Sequence, residues 1–160
     1  MSKLEELIAE LCPDGVKYKK LGEVCDLKYG IGNTIPKEQG KYSVYGSNGV
    51  VGTHNKYNAE DITVIGHIGS AGAINWASGK VFVTYNGIMC LPKMNVLNSK
   101  YLHHFLTSFN FTPKGSQPFI SYGDIAKKII PVPPMSVQNE IVRILDNFTE
   151  LTAELTAELT

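Results

Sequence analysis

The last 25 residues, 136–160, contain neither proline nor glycine. Nothing in the backbone chemistry of that stretch interrupts a helix. Ile141, Ile144, Leu145, Phe148, Leu151, Leu155 and Leu159 recur at helical spacing. Steps of 4, 3, 3 and 4 from Ile141 to Leu155, passing over Ile144, make a narrow seam of the kind through which helices pair. Ser136 is the expected N-cap, and a helix from there to the end runs about 36 Å. Its end is a tandem repeat, Thr152-Ala153-Glu154-Leu155 followed by Thr156-Ala157-Glu158-Leu159. A four-residue step turns about 40° past a full turn, so two copies keep their leucines near one face. A body of 133 residues is too small to bury such a helix. The seam Leu145, Phe148, Leu151, Leu155 and Leu159 is therefore expected to meet a second copy. The chain divides into a body, 1–133, and a pairing helix, 134–160.

The body reads differently. Leu4, Leu7, Ile8 and Leu11 line one face of a short helix that Ser2 can cap and Pro13-Asp14-Gly15 ends. An extended stretch runs from Val16 to Tyr29. Between 41 and 91 short apolar runs alternate with glycine, and most of the 15 glycines lie between Gly30 and Gly87. That pattern predicts a curved, glycine-rich sheet. Ser47-Asn48-Gly49 predicts a hairpin turn with positive φ at its centre. A helix is expected at about 98–110, capped by Asn98, with a helical turn at 123–128. Ile129-Ile130-Pro131-Val132-Pro133-Pro134 reads as a stiff hinge. The fold class is thus α+β, a curved sheet with short helices followed by a long coiled-coil helix.

The formal charge is zero, but it is segregated. Residues 17–128 carry thirteen lysines against six carboxylates, a net +7, while 1–16 carry −3 and 129–160 carry −4. A basic body suits a polyanion, and acidic ends suit protein. No apolar stretch is long enough to span a membrane. The charged start lacks the apolar centre of a signal peptide. Cys12, Cys25 and Cys90 form no CxxC pair, which argues against a disulfide or zinc framework and for a reducing cytoplasm. Enzyme motifs fail their context tests. Gly66-His67-Ile68-Gly69-Ser70-Ala71-Gly72 is GxxGxxG without a following helix. His103 and His104 are adjacent on a helix and diverge by about 100°. Glu60-Asp61 lacks the Glu-x-Lys of common nucleases. No metal, no cofactor and no catalytic role are expected, and a small hydrolase is left as a remote alternative.

Three segments together resemble the specificity subunit of type I restriction–modification systems. The first is Tyr42-Ser43-Val44-Tyr45-Gly46-Ser47-Asn48-Gly49-Val50-Val51-Gly52. The second is Gly115-Ser116-Gln117-Pro118-Phe119-Ile120-Ser121, followed by Ile130-Pro131-Val132-Pro133-Pro134 and Gln138-Asn139-Glu140-Ile141-Val142-Arg143-Ile144-Leu145-Asp146. There the family usually has Glu-Gln before the isoleucine run, from which Gln138-Asn139-Glu140 departs modestly. The third is the TAEL repeat. The order of the segments over the whole chain makes the resemblance specific. It implies a non-catalytic DNA-reading subunit, here a half-subunit with one recognition domain and one spacer helix, natural or cut at the repeat. It implies double-stranded DNA, a methyltransferase (modification) subunit and a restriction subunit as partners. S-adenosylmethionine and ATP would sit on those partners.

Reading DNA needs cations for phosphates and amides, hydroxyls or cationic groups for base edges. The candidates concentrate in turns. Lys41, Tyr45, Ser47, Asn48, His54, Asn55 and Lys56 flank the first hairpin. His67, Ser70, Asn75, Trp76 and Lys80 flank the next, and Lys114, Ser116 and Gln117 lie in the late loop. Asn48 can equally serve its own turn, and Tyr45 and Trp76 can equally be core. Residues 17–128 hold no arginine, so guanine readout would fall to lysine, amides or backbone. The alternative is a β-rich protein-interaction module with a dimerising helix and no nucleic acid.

Overall fold

The structure is a computed structural model and describes the chain apart from Asn33, Glu38, Thr112, Lys114, Gly115, Gln117 and Thr160. It opens with α1 (Lys3–Leu11), where Ser2 Oγ accepts from the Glu5 N–H at 3.2 Å. Gly15, at φ +90°, turns the chain out of the helix end. The expected extended stretch then breaks in two. β1 (Tyr18–Lys20) is followed by a single helical turn, α2 (Leu21–Val24), before β2 (Cys25–Tyr29). The cause is tertiary. Leu21 and Val24 share one helical face and are buried, and the Leu21 N–H donates to Lys128 O at 2.7 Å.

Five strands complete the main sheet: β3 (Tyr42–Tyr45), β4 (Val50–His54), β5 (Ala59–Gly66), β6 (Ile74–Val83) and β7 (Gly87–Pro92). The strand order is β2-β7-β5-β6-β3-β4. All neighbours are antiparallel except β3 and β6. β6 is one ten-residue strand, although Ser78-Gly79 reads as punctuation. A bulge in β5 explains this. Register shifts between Glu60 and Ile62, Asp61 adopts φ +48°, and its Oδ1 accepts the Gly79 N–H at 2.6 Å. The bulge absorbs the glycine instead of ending the strand.

The sheet buries both faces. Ile62, Val64, Ala77, Val81, Val83 and Met89 pack on one side. Ile65, Ile88 and Cys90 face the other, beneath α3 (Ser99–Ser108) and α4 (Tyr122–Ala126). Asn98 caps α3 by accepting the N–H groups of Lys100 and Tyr101, and Tyr101, Leu102 and Leu106 turn into the core. Ser121 and Asp124 form a capping box on α4. Burial pushes the Cys25 thiol up to about 12 and the Cys90 thiol well above its ordinary value, so both stay protonated core groups.

β8 (Ile129–Pro131) pairs with β1 in a separate two-stranded ribbon, Lys19 opposite Ile130. The proline-rich segment is therefore not a free hinge. Its Val132 N–H donates to Lys17 O at 2.7 Å. The last element, α5 (Met135–Leu159), starts one residue before Ser136. Pro134 O accepts from the Val137 and Gln138 N–H groups, which places Ser136 inside the first turn rather than at the cap. No helix among the described residues is long and apolar enough to cross a membrane.

Candidate nucleic-acid interface

Two tight turns meet at one end of the sheet. The first joins β3 to β4 and closes with the Gly46 N–H on Gly49 O at 3.0 Å. The second, 66–73, folds back with the Gly66 N–H on Ala73 O and the Gly72 N–H on Gly66 O. They are stitched together. Ser70 N–H donates to Ser47 Oγ at 3.3 Å, and Asn75 Nδ2 donates to Asn48 Oδ1 at 3.0 Å. Glycine is required at 66, because a Cβ there would run into the backbone oxygens of Ser70 and Ser47. The result is one polar ridge of Ser47, Asn48, Ser70 and Asn75. Gly49, not Asn48, takes the positive φ of the first turn. The Asn48 side chain is thus used across the ridge through its Oδ1 and, among the described residues, its Nδ2 hydrogens are committed to no other group. Tyr45 lies beneath, half-buried, its hydroxyl donating to Trp76 O at 3.4 Å.

A second grouping lies on the flank of the sheet. The rings of Tyr42 and Tyr57 meet edge to face at 5.2 Å. Lys41 Nζ stands 5.1 Å from the Tyr42 centroid, and Lys80 Nζ 4.9 Å from that of Tyr57. Two cations are thereby held in place by a tyrosine pair, with Lys56 exposed nearby in sequence. Nothing in the sequence marks these tyrosines as a pair: alternation along β3 places Tyr42 but not its distant partner. His54 is half-buried, its ring 4.8 Å from that of Phe82.

His67 is not a surface group. It is 5% exposed, with rings of Tyr29, Tyr85 and Phe119 around it at 4.2, 5.2 and 6.1 Å. Its Nδ1 donates to Ile120 O at 2.6 Å, and the Ile120 N–H returns to His67 O at 3.0 Å. A carbonyl only accepts, so Nδ1 carries a proton. His67 ties the late loop to the sheet instead of presenting its ring outward. Ser116 and Ser70 are exposed; Lys114 and Gln117 lie outside the described residues. Trp76, one residue on from Asn75, lies on the opposite face of the strand. Lys100 Nζ sits 4.5 Å from its centroid and His103 5.5 Å away. Burial, then His104 and Lys100, hold the His103 pKa below its ordinary value.

The first turns of α5 pack on the body, burying Val137, Gln138 and Glu140. Beyond them Ile144, Leu145, Phe148, Leu151, Leu155 and Leu159 are 37–86% exposed. No group of three or more His, Cys, Asp or Glu among the described residues could hold a metal.

The family model of the type I restriction modification DNA specificity domain matches residues 13–160. The chain belongs to this family. It is 34% identical over 150 residues to a protein described as a type I restriction enzyme specificity subunit of Haemophilus influenzae, covering 87% of this chain and 39% of that one. A type I specificity subunit of Mycoplasma pneumoniae is 29% identical over 157 residues, covering 90% and 43%. The specificity-domain chain thus spans about two fifths of the length of these relatives. Among solved structures, the HsdS subunit of Thermoanaerobacter tengcongensis superposes with a TM-score of 0.72 at 21% identity, over 98% of this chain and 45% of that one. The type I system S subunit of M. genitalium gives 0.71 at 20% identity, over 89% and 41%. At that identity the likeness is one of fold.

Proposed function

We propose that this chain reads one half of a bipartite duplex DNA target, without catalytic chemistry of its own, and presents it to methyltransferase subunits in the cytoplasm. The observation that carries this reading is the match to a DNA specificity domain across 13–160. The polar ridge of Ser47, Asn48, Ser70 and Asn75 supplies groups for base edges. The lysines of the +7 body, Lys41, Lys56 and Lys80 among them, supply phosphate contacts. Methyltransferase and restriction subunits would bring S-adenosylmethionine and ATP.

The exposed seam of α5 takes a second copy of itself, antiparallel. Such a pairing is two-fold and isologous, so the two bodies lie at opposite ends of the helix pair. Two identical readers then require an interrupted palindrome. The test is electrophoretic shift of the chain, assembled with its methyltransferase subunit, on a pool of random duplexes across a salt series. Salt-sensitive selection of an interrupted palindrome is expected, and Lys114→Ala with Gln117→Ala should weaken it. Absence of any salt-dependent duplex binding would favour a protein-interaction module instead.

A further inference from the structure

We propose that Gln138 is a positioning residue: it fixes the direction of α5 on the recognition body and so sets the gap between the two halves of the target. The inference rests on the DNA-reading function above and names the residue on which its geometry depends.

Gln138 lies in the first turns of α5 and is completely buried. Its carboxamide binds three backbone groups in two segments, the loop at 96–98 and the helix's own entry at Pro133. Oε1 accepts the Asn98 N–H at 2.8 Å. Nε2 donates to Val96 O at 2.9 Å and to Pro133 O at 2.8 Å. Both donor hydrogens are used, and none of these partners moves without the others. One side chain therefore joins the segment entering α5, the loop leaving β7 and the cap of α3. Around it, Asn98 Nδ2 donates to Asn139 Oδ1 at 3.0 Å, and the Tyr101 hydroxyl donates to Pro131 O at 2.8 Å. The next turns add Lys3 Nζ at 3.7 Å from the Glu140 carboxylate and His104 Nε2 at 3.4 Å from that of Asp146.

Magnitudes show why directional bonds are needed. From Gln138 to Leu159 the helix extends about 32 Å. Tilting it by about 6° moves its far end by about 3.4 Å, one base-pair rise. Apolar contacts at Val137 and Ile141 resist separation but tolerate sliding, since the hydrophobic effect is non-directional. Two short hydrogen bonds to the backbone of Val96 and Asn98, with a third bracing the helix entry at Pro133, resist tilt.

The experiment uses Gln138→Met, which keeps length, volume and helix propensity while removing the donors and the acceptor. In the assembled methyltransferase complex, modified sites are mapped on duplexes whose gap varies one base pair at a time. The wild type should modify one gap. Q138M should keep the same half-site bases and lose about tenfold in preference for that gap over its neighbours. Unchanged gap preference in folded Q138M overturns the proposal. A wild type that selects no target overturns the DNA-reading function itself. If Q138M does not fold, spin labels on the wild-type chain at Lys28 and Glu154 decide. A single narrow distance supports a fixed helix, and a broad distribution overturns it.

Discussion

Asn48 and Gly66 divide the work of the ridge between a side chain and the absence of one. Asn48 is free to bond Asn75 because Gly49 carries the positive φ. Gly66 lets the second turn fold so close that Ser70 N–H reaches Ser47 Oγ. Its conformation is not the reason for glycine, since its φ is not positive; space is. Gly66→Ala should therefore destabilise the body by about 1–3 kcal/mol, the usual cost of forcing atoms into a filled site. It should also weaken DNA binding by spreading the ridge. Urea unfolding would show the first effect, and a midpoint unchanged from wild type would refute the close packing. Gly69 and Gly72 in the same turn differ in kind, because positive φ requires them.

At the scale of elements, α5 has two lives. Its start is held to the body by Gln138, and its Glu140 carboxylate is clamped within the helix by Arg143 and reached from the body by Lys3. Arg143 Nη2 and Nε donate to the Glu140 oxygens at 2.6 and 3.0 Å, and Lys3 approaches from α1. The Arg143 hydrogen bonds hold the Glu140 carboxyl below its ordinary value of 4.5. A carboxyl lowered by folding contributes stability above the unfolded value and loses it as pH falls through the folded one. Urea midpoints should therefore drop as pH falls below about 4.5, and Glu140→Gln should flatten that dependence; an identical slope would refute the clamp. The Asp124 capping box acts in the same direction, through its bonds from Ser121. The second half of α5 carries the apolar seam. Each leucine buried there contributes about 1.5–3 kcal/mol. Leu151→Glu with Leu155→Glu should therefore yield monomers in analytical ultracentrifugation. A wild type already monomeric at high concentration, with and without the methyltransferase subunit, would contradict the pairing.

For the whole molecule, the proposed division of labour gives reading to the body, measuring to the helix and the link between them to the junction at Gln138. One inserted TAEL unit lengthens α5 by about 6 Å, close to two base pairs, and rotates the residues beyond the insertion by about 40°. Mapped modification sites should keep their half-site bases and shift their gap; an unchanged gap would separate helix length from spacing. Much of this organisation was legible in the sequence. The unbroken run after 136, the caps at Ser2 and Asn98 and the Ser47-Asn48-Gly49 turn depend on neighbours within a few residues, and local sterics and hydrogen bonding decide them. The segregated charge needed only counting. Tertiary packing decided the rest. β6 continues through Ser78-Gly79 because Asp61, eighteen residues earlier, bonds the Gly79 N–H. α2 interrupts an extended stretch because Leu21 and Val24 meet a core assembled from the far end of the chain. His67 looks like a loop histidine until Ile120 and three aromatic rings enclose it. The proline segment reads as a hinge until β1 pairs with it and Lys17 O takes the Val132 N–H. In each case the deciding partner is distant in sequence, and periodicity carries no record of distant partners.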